Sequence, residues 1–225
     1  MNAGHRFRQL FRVFHREDAY FSHFDRIAAR PLEDVGIFAE LKRRVGRPKA
    51  GVLEVGCGLG YVSQGLGALG VDASAHAIAR ARQLFPRTRF KVGRAGDLGR
   101  GLRRRFGAVV AVNVLEHLPD AEREAFFAEL PRLLAPGGRF YAVYDSLYHP
   151  LQLASALYRP GTLVFDPTHV HCWSQRAFRR ELKAHLDLEQ EAGGNIQSLT
   201  LPWGNRFHTA RLYVGAPKAQ RRALA

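Results

Sequence analysis

Three features of the chain predict an α/β fold with a doubly wound parallel sheet. From Gly51 onward, short apolar runs alternate with stretches of helical periodicity. The runs are apolar at successive positions rather than at every second one, which marks strands buried on both faces. The first run leads into a glycine-rich turn, as a sheet of this kind requires where its first strand meets a helix.

Taken in order, residues 5–16 read HRFRQLFRVFHR, with Phe7, Leu10, Phe11 and Phe14 on one helical face and arginines between them. Such a helix either docks on the domain or lies in an anionic membrane interface, and docking is the commoner outcome. A second helix is expected from Pro31, favoured at a first helical position, to about Gly46, presenting Phe38, Leu41 and Val45. These two make a helical extension over residues 1–47. The strands expected next are Val52–Val55, Ala68–Val71, Phe90–Val92, Ala108–Val112 and Phe140–Tyr144, with helices near 75–84 and 120–134. Pro136, Gly137 and Gly138 turn the chain into the fifth strand. Residues 145–172 lose periodicity, and a loop of that length is more often functional than filler. A helix follows with Ser174 as N-cap and Phe178 and Leu182 inward, then strands near 186–191 and 210–215. The main domain thus spans 48–217, with a basic tail over 218–225.

The 225 residues suit one α/β domain and are short for two. No apolar run reaches membrane-spanning length. The basic start resembles a transit peptide, but it is poor in serine and carries Glu17 and Asp18, so it reads as mature protein. The two cysteines, Cys57 and Cys172, lack zinc-ligand spacing and offer no disulfide framework, which fits a reducing cytoplasm. A net charge of +14 favours anionic partners in principle. Its arginines are dispersed except at Arg103–Arg105 and Arg221–Arg222, and no aromatic-interleaved RNA-binding motif accompanies them. Nucleic acid is therefore the less favoured partner, and a compositional bias toward arginine the simpler reading.

Residues 54–60 read EVGCGLG. Gly56, Gly58 and Gly60 let a ligand approach the backbone closely. The spacing is GxGxG, with Tyr61 where a dinucleotide fold has its third glycine. Glu54 ahead of the loop would repel a pyrophosphate but suits the ammonium of an amino-acid moiety. Asp72 closes the second strand, where two carboxylate oxygens can accept ribose hydroxyls. Asp97 follows the third strand, and Asn113 the fourth, at the carboxyl edge where open α/β sheets bind ligands.

The segments LEVGCGLG, GVDAS, VLEHL and LAPGG, in this order, closely resemble the small-molecule class I S-adenosylmethionine-dependent methyltransferases, especially those of types 11, 12 and 23 and of ubiquinone biosynthesis. The resemblance covers residues 48–145 well and 168–182 more loosely. It implies a Rossmann-like sheet of seven strands with the last antiparallel, and S-adenosyl-L-methionine as cofactor. It also implies cofactor contacts from Glu54, Gly56, Gly58, Asp72, Asp97, Leu98 and Asn113, with Cys57, Gly60 and Ala73 as further candidates in the same segments. One departure stands out: only 12 positions separate Gly60 from Asp72, too few for a full crossover helix and a strand. The first helix is expected to be truncated, leaving sheet surface for the N-terminal helix or a second subunit to cover.

Methyl transfer needs an aligned acceptor and a group to take its proton. The candidate bases are His117, His149, His169 and His171. His169 and His171 alternate, so an extended segment points them to opposite faces. Tyr144, Tyr148, Tyr158, Phe165 and Trp173 are candidates for an apolar wall, or equally for core. No metal is expected: Glu116 and His117 resemble part of the Glu-x-x-Glu-His arrangement of some ubiquinone-pathway enzymes, but Asn113 replaces its first acid. No Asn-Pro-Pro-Tyr or Asp-Pro-Pro-Tyr segment and no Pro-Cys nucleophile occurs, which favours oxygen methylation of a phenol, sugar or lipid-linked precursor. The competing readings are an RNA methyltransferase using the basic surface and a cofactor-binding interaction module of impaired turnover. A dimer is compatible with the sequence but not required by it.

Overall fold

The computed structural model describes residues 36–102, 105–145, 169–194 and 210–218. The helix expected over 5–16, the Pro31 start, His149, most of the 145–172 loop and the tail beyond 218 lie outside those residues.

The described elements are α1 (Gly36–Val45), β1 (Val52–Val55), α2 (Tyr61–Leu66), β2 (Leu69–Asp72), α3 (Ala75–Leu84), β3 (Arg89–Val92), α4 (Leu98–Gly101), β4 (Phe106–Val112), α5 (Asp120–Leu133), β5 (Leu134–Asp145), α6 (Gln175–His185), β6 (Leu186–Gly194) and β7 (Ala210–Pro217). The strands form one seven-stranded sheet in the order β3-β2-β1-β4-β5-β7-β6. Neighbours from β3 to β5 are parallel, whereas β7 runs antiparallel to both β5 and β6. The order reverses between β1 and β4, which opens a crevice at their carboxyl ends.

Each face of the sheet has its own core. Leu53, Val55, Val109, Ala111, Phe140 and Ala142 point to the face covered by α5 and α6. Val52, Ala108, Val110, Tyr141, Leu212 and Val214 point to the other, against Ile37, Leu41 and Val45 of α1. As expected, α2 is truncated: six residues, stopped by Gly67 at φ +63°. On the same face α1 packs against α2, β6 and β7, and its three buried side chains, Ile37, Leu41 and Val45, each contribute roughly 1.5–3 kcal/mol through burial. Phe38, placed inward by the sequence pattern, is only partly buried, and Ile37 takes the central position instead.

Two further departures are local. The strand β3 is a sheet edge, so only Phe90 of its four residues is buried. The turn at Pro136–Gly138 lies inside β5 as an irregularity: Phe106 pairs with Leu134 and Ala108 already with Arg139, while Gly137 adopts φ +76°. No described helix is long and apolar enough to cross a membrane.

Candidate functional site

The glycine loop after β1 is held shut by the protein itself. Gly56 and Cys57 both donate their N–H to the Val71 carbonyl, at 2.7 and 3.0 Å. Asp72 accepts from the Gly58 N–H at 2.8 Å and, through its other oxygen, from the Ser74 N–H at 2.9 Å. Each carboxylate oxygen keeps a further lone pair, so Asp72 anchors the loop and remains competent to accept from a ligand. Gly56 and Gly60 adopt φ of +69° and +83°, and a Cβ there would run into the Val114 and Phe90 side chains. These two glycines are therefore demanded by packing within the protein, apart from any need of a ligand.

Beside the loop, Glu54 is 2% exposed and Ser63 of α2 fully buried. Their side chains are hydrogen-bonded, the Ser63 hydroxyl donating. Burial, chiefly, raises the Glu54 carboxyl to about 8, with the nearby Asp72 charge adding to it and Ser63 opposing. Among the described residues no ion pair reaches the Glu54 carboxyl, and these acceptors suit a ligand that brings an ammonium together with hydroxyls. Ser63 and Gly70 were not singled out by sequence: a side chain at Gly70 would strike Ser63 Oγ and Cys57 Sγ, so the bare residue lets α2 approach β2. Cys57 is 6% exposed and packs with Ile78, Ala81 and Phe90. Its burial pushes the thiol pKa upward, so it is inert.

The remaining cofactor candidates differ in setting. Ala73 and Asp97 are exposed, whereas Leu98 is buried and belongs to the core. Asn113 has φ +49°. Its N–H donates to the Val143 carbonyl at 2.9 Å, and its Oδ1 accepts from the Asp145 N–H at 3.1 Å. It therefore ties the ends of β4 and β5 together beside the crevice.

Across Val114 from Gly56 lies a short turn, Leu115–His117. Its Glu116 is 1% exposed. The Glu116 carbonyl accepts from both the Val170 and His171 N–H groups at 2.9 Å, which fastens the segment ahead of α6 to this turn. The consequence is a meeting of distant histidines: the His117 and His169 rings stand edge to face with centroids 4.5 Å apart. His171 turns the other way, as alternation predicts. It stacks on Trp173 at 4.7 Å, and its Nε2 lies 2.7 Å from Arg123 Nη1.

Arg123 organises that second group. It is 6% exposed, and it donates to Asp120 at 2.7 Å and Glu181 at 2.8 Å while lying 5.2 Å from the Trp173 ring centroid. Sequence carried a signal for it, since Arg123 occupies the same helical face as Phe126, Phe127 and Leu130, where a charge needs partners. Tyr144 is core rather than a wall of the crevice. Its hydroxyl donates to the Trp173 carbonyl at 2.6 Å and accepts from the Trp173 N–H at 3.0 Å. Tyr148, Tyr158 and Phe165 lie outside the described residues.

Residues 52–138 match the methyltransferase domain family. No curated protein matches the chain. Among solved structures, a TehB-like SAM-dependent methyltransferase from Corynebacterium glutamicum ATCC 13032 Kitasato aligns at 21% identity and TM-score 0.58, covering 90% of this chain and 98% of that one. The glycopeptide N-methyltransferase MtfA, complexed with S-adenosyl-L-methionine, aligns at 18% identity and TM-score 0.56, covering 80% and 86%. The protein PH0226 from Pyrococcus horikoshii OT3 aligns at 22% identity and TM-score 0.57, covering 80% and 87%. At such identities the likeness to these structures is one of fold.

Proposed function

From the premise that this chain is a class I S-adenosylmethionine-dependent methyltransferase, we propose that it methylates an oxygen of a small-molecule acceptor such as a phenol, a sugar or a lipid-linked precursor. The observation that carries this reading is the meeting of His117 and His169 beside the buried Glu116 at the carboxyl edge of the sheet. A neutral amine is already nucleophilic, but a hydroxyl attacks well only as its proton is taken, and imidazole is the side chain suited to that near neutral pH.

The cofactor supplies an electrophilic methyl group on a sulfonium, and its sulfur keeps the electron pair of the broken bond. Glu54 offers a negative partner for the amino-acid portion, and the backbone at Gly56 and Gly58 lines its path. Asp72 accepts from the ribose hydroxyls with the lone pairs left over from the loop. Asp97, Leu98 and Asn113 border the adenine end and the crevice floor. One imidazole of the His117–His169 pair would receive the acceptor proton as the new bond forms. Asp72→Asn is expected to weaken S-adenosylhomocysteine binding about tenfold, because a charge-assisted hydrogen bond is worth roughly 1.5 kcal/mol more than none. Calorimetry checks this, and unchanged affinity would remove Asp72 from the site.

The reading as a whole is tested by labelled methyl transfer to panels of matched hydroxyl and amine acceptors. Hydroxyl compounds turned over faster, with a rate rising through the imidazole range of pH, are the expected result. Preference for amines overturns oxygen as the acceptor atom; preference for RNA, with a steep salt dependence, overturns the small-molecule class.

A further inference from the structure

We propose that the outer edge of the sheet, formed by β3 and α3, is a docking surface for an anionic phospholipid bilayer. Residues 73–105 contain ten basic side chains and one acid, Asp97. Nine of the chain's net +14 charges therefore fall in this stretch, and all the other residues together supply five. A compositional bias toward arginine would raise the charge evenly, so it does not account for the concentration.

Folding gathers these charges around one edge. The strand β3 ends the described sheet and pairs with β2. Phe90 packs with Ile78 and Ala81 of α3, so Arg89 and Lys91, which alternate with it, point to the opposite face. Arg80 and Arg82 stand on α3, Arg87 in the turn that joins it to β3, and Arg94 just beyond the strand; all six side chains are exposed. Arg82 donates to the Phe90 carbonyl at 3.0 Å and Lys91 to the Gly101 carbonyl at 2.6 Å, neutral acceptors that leave both charges uncompensated. Arg87 and Arg89 make no ion pair with a described residue. Of the six, Arg94 is paired, with Glu122. On other elements Arg43, Arg44, Arg139 and Arg179 each close on a glutamate. Crowded charge of one sign opposes the compact state, and guanidinium forks meet phosphate oxygens in pairs. A phosphate-bearing surface relieves the first through the second.

An apolar component selects a bilayer over a water-soluble polyanion. Val92, between Lys91 and Arg94, is 43% exposed, one of two large apolar side chains so exposed among the described residues. Residues 5–16, outside the described residues, repeat this chemistry in sequence, where Phe7, Leu10, Phe11 and Phe14 are interleaved with arginines. Attachment to a membrane is marginal with one weak signal and stable with two. No exposed Phe, Tyr or Trp lies on α3 or β3, so the edge offers no platform on which the bases of a single strand could stack. The strand β3 stands two places from β1 in the sheet, and docking there leaves the crevice between β1 and β4 open. The inference holds whichever atom is methylated.

The test sediments the full chain with phosphatidylcholine vesicles, with and without phosphatidylglycerol, across a salt series. Binding is expected only with phosphatidylglycerol, and it should weaken as salt screens the charges. Each basic side chain near an anionic surface strengthens binding about fivefold. Arg87→Gln/Arg89→Gln/Lys91→Gln is therefore expected to bind about a hundredfold more weakly, with S-adenosylhomocysteine affinity unchanged. Arg176→Gln/Arg180→Gln/Lys183→Gln removes the same charge from exposed positions of α6. That variant should stay within about threefold of the wild type. Arg87→Gln alone, in the turn, should weaken binding about fivefold and carries the test if the β3 triple variant melts early. Equal binding to phosphatidylcholine alone, wild-type affinity in the β3-edge variants, or equal weakening in the α6 variant overturns the proposal. Tighter binding to duplex RNA than to the anionic vesicles, at matched phosphate concentration, overturns the bilayer and gives the surface to nucleic acid.

Discussion

Glu54→Gln is expected to make the protein more stable at alkaline pH and worse at binding its cofactor. The carboxyl is raised to about 8 by burial, whereas in the unfolded chain it titrates near 4.5. The folded state therefore keeps a proton that the unfolded state has released anywhere between those values. Stability from this group is complete below about pH 4.5, declines as pH rises toward 8, and is flat above it. Glutamine has the same shape, still bonds Ser63 and has no proton to lose. At pH 8.5 the variant should exceed the wild type by about 2–4 kcal/mol, or roughly 5–10 °C in melting temperature for a chain of this size. At pH 5 the two should melt close together. Cofactor affinity should fall about 10–100-fold, since the ammonium loses its charged partner. Parallel melting curves across this range would mean that Glu54 is ionised in the folded protein without cost. Improved stability with undiminished cofactor affinity would remove the carboxylate from the binding site.

Arg123→Ala is expected to be among the most destabilising single substitutions in the described structure. The guanidinium joins α5 to α6 through Glu181, closes on Asp120, meets His171 and underlies Trp173. Its removal leaves the Glu181 charge without its nearest cation and opens a void under an aromatic ring. Breaking a largely buried pair from one side costs about 3–5 kcal/mol, which corresponds to a fall of roughly 10 °C in melting temperature. Arg123→Lys keeps the charge but not the planar fork, so it should recover less than half of the loss. Because the same residue holds the segment carrying His169, turnover should fall in Arg123→Lys at temperatures where the protein remains folded. A melting change within about 1 kcal/mol of wild type would show the network to be no stronger than a surface ion pair.

How far these sites were legible in sequence follows from the distance over which each signal acts. The strands β1, β2 and β4 announce themselves because burial on both faces leaves an apolar run in the chain. The helix α3 falls over residues 75–84 as its periodicity indicates, with Ser74 capping it. The short α2 was readable from the spacing of Gly60 and Asp72 alone. Pairwise meetings between remote residues were not readable. Nothing local tells that His169 faces His117, because the backbone bonds to Glu116 that bring them together join segments more than fifty residues apart in sequence. The glycine loop was read as shaped for a ligand, yet Gly56 and Gly60 are also required by Val114 and Phe90, contacts with other strands or loops. Asn113 shows the same division of labour: its place after β4 was evident, while its link to Asp145 was not.

The packing of α1 has a consequence for how the chain acquires its shape during synthesis. Ile37, Leu41 and Val45 leave the ribosome well before Leu212 and Val214 of β7, which form part of their cover. Until those strands are made, the helix carries an apolar stripe with part of its surface still missing. The bonds from Arg44 to Gln190 and from Tyr141 to the Arg44 carbonyl likewise wait for residues made about a hundred or more positions later. Closure of this face is thus a late, non-local event, of the kind that slows folding. A nascent chain halted before residue 210 would present that stripe to chaperones or to its neighbours.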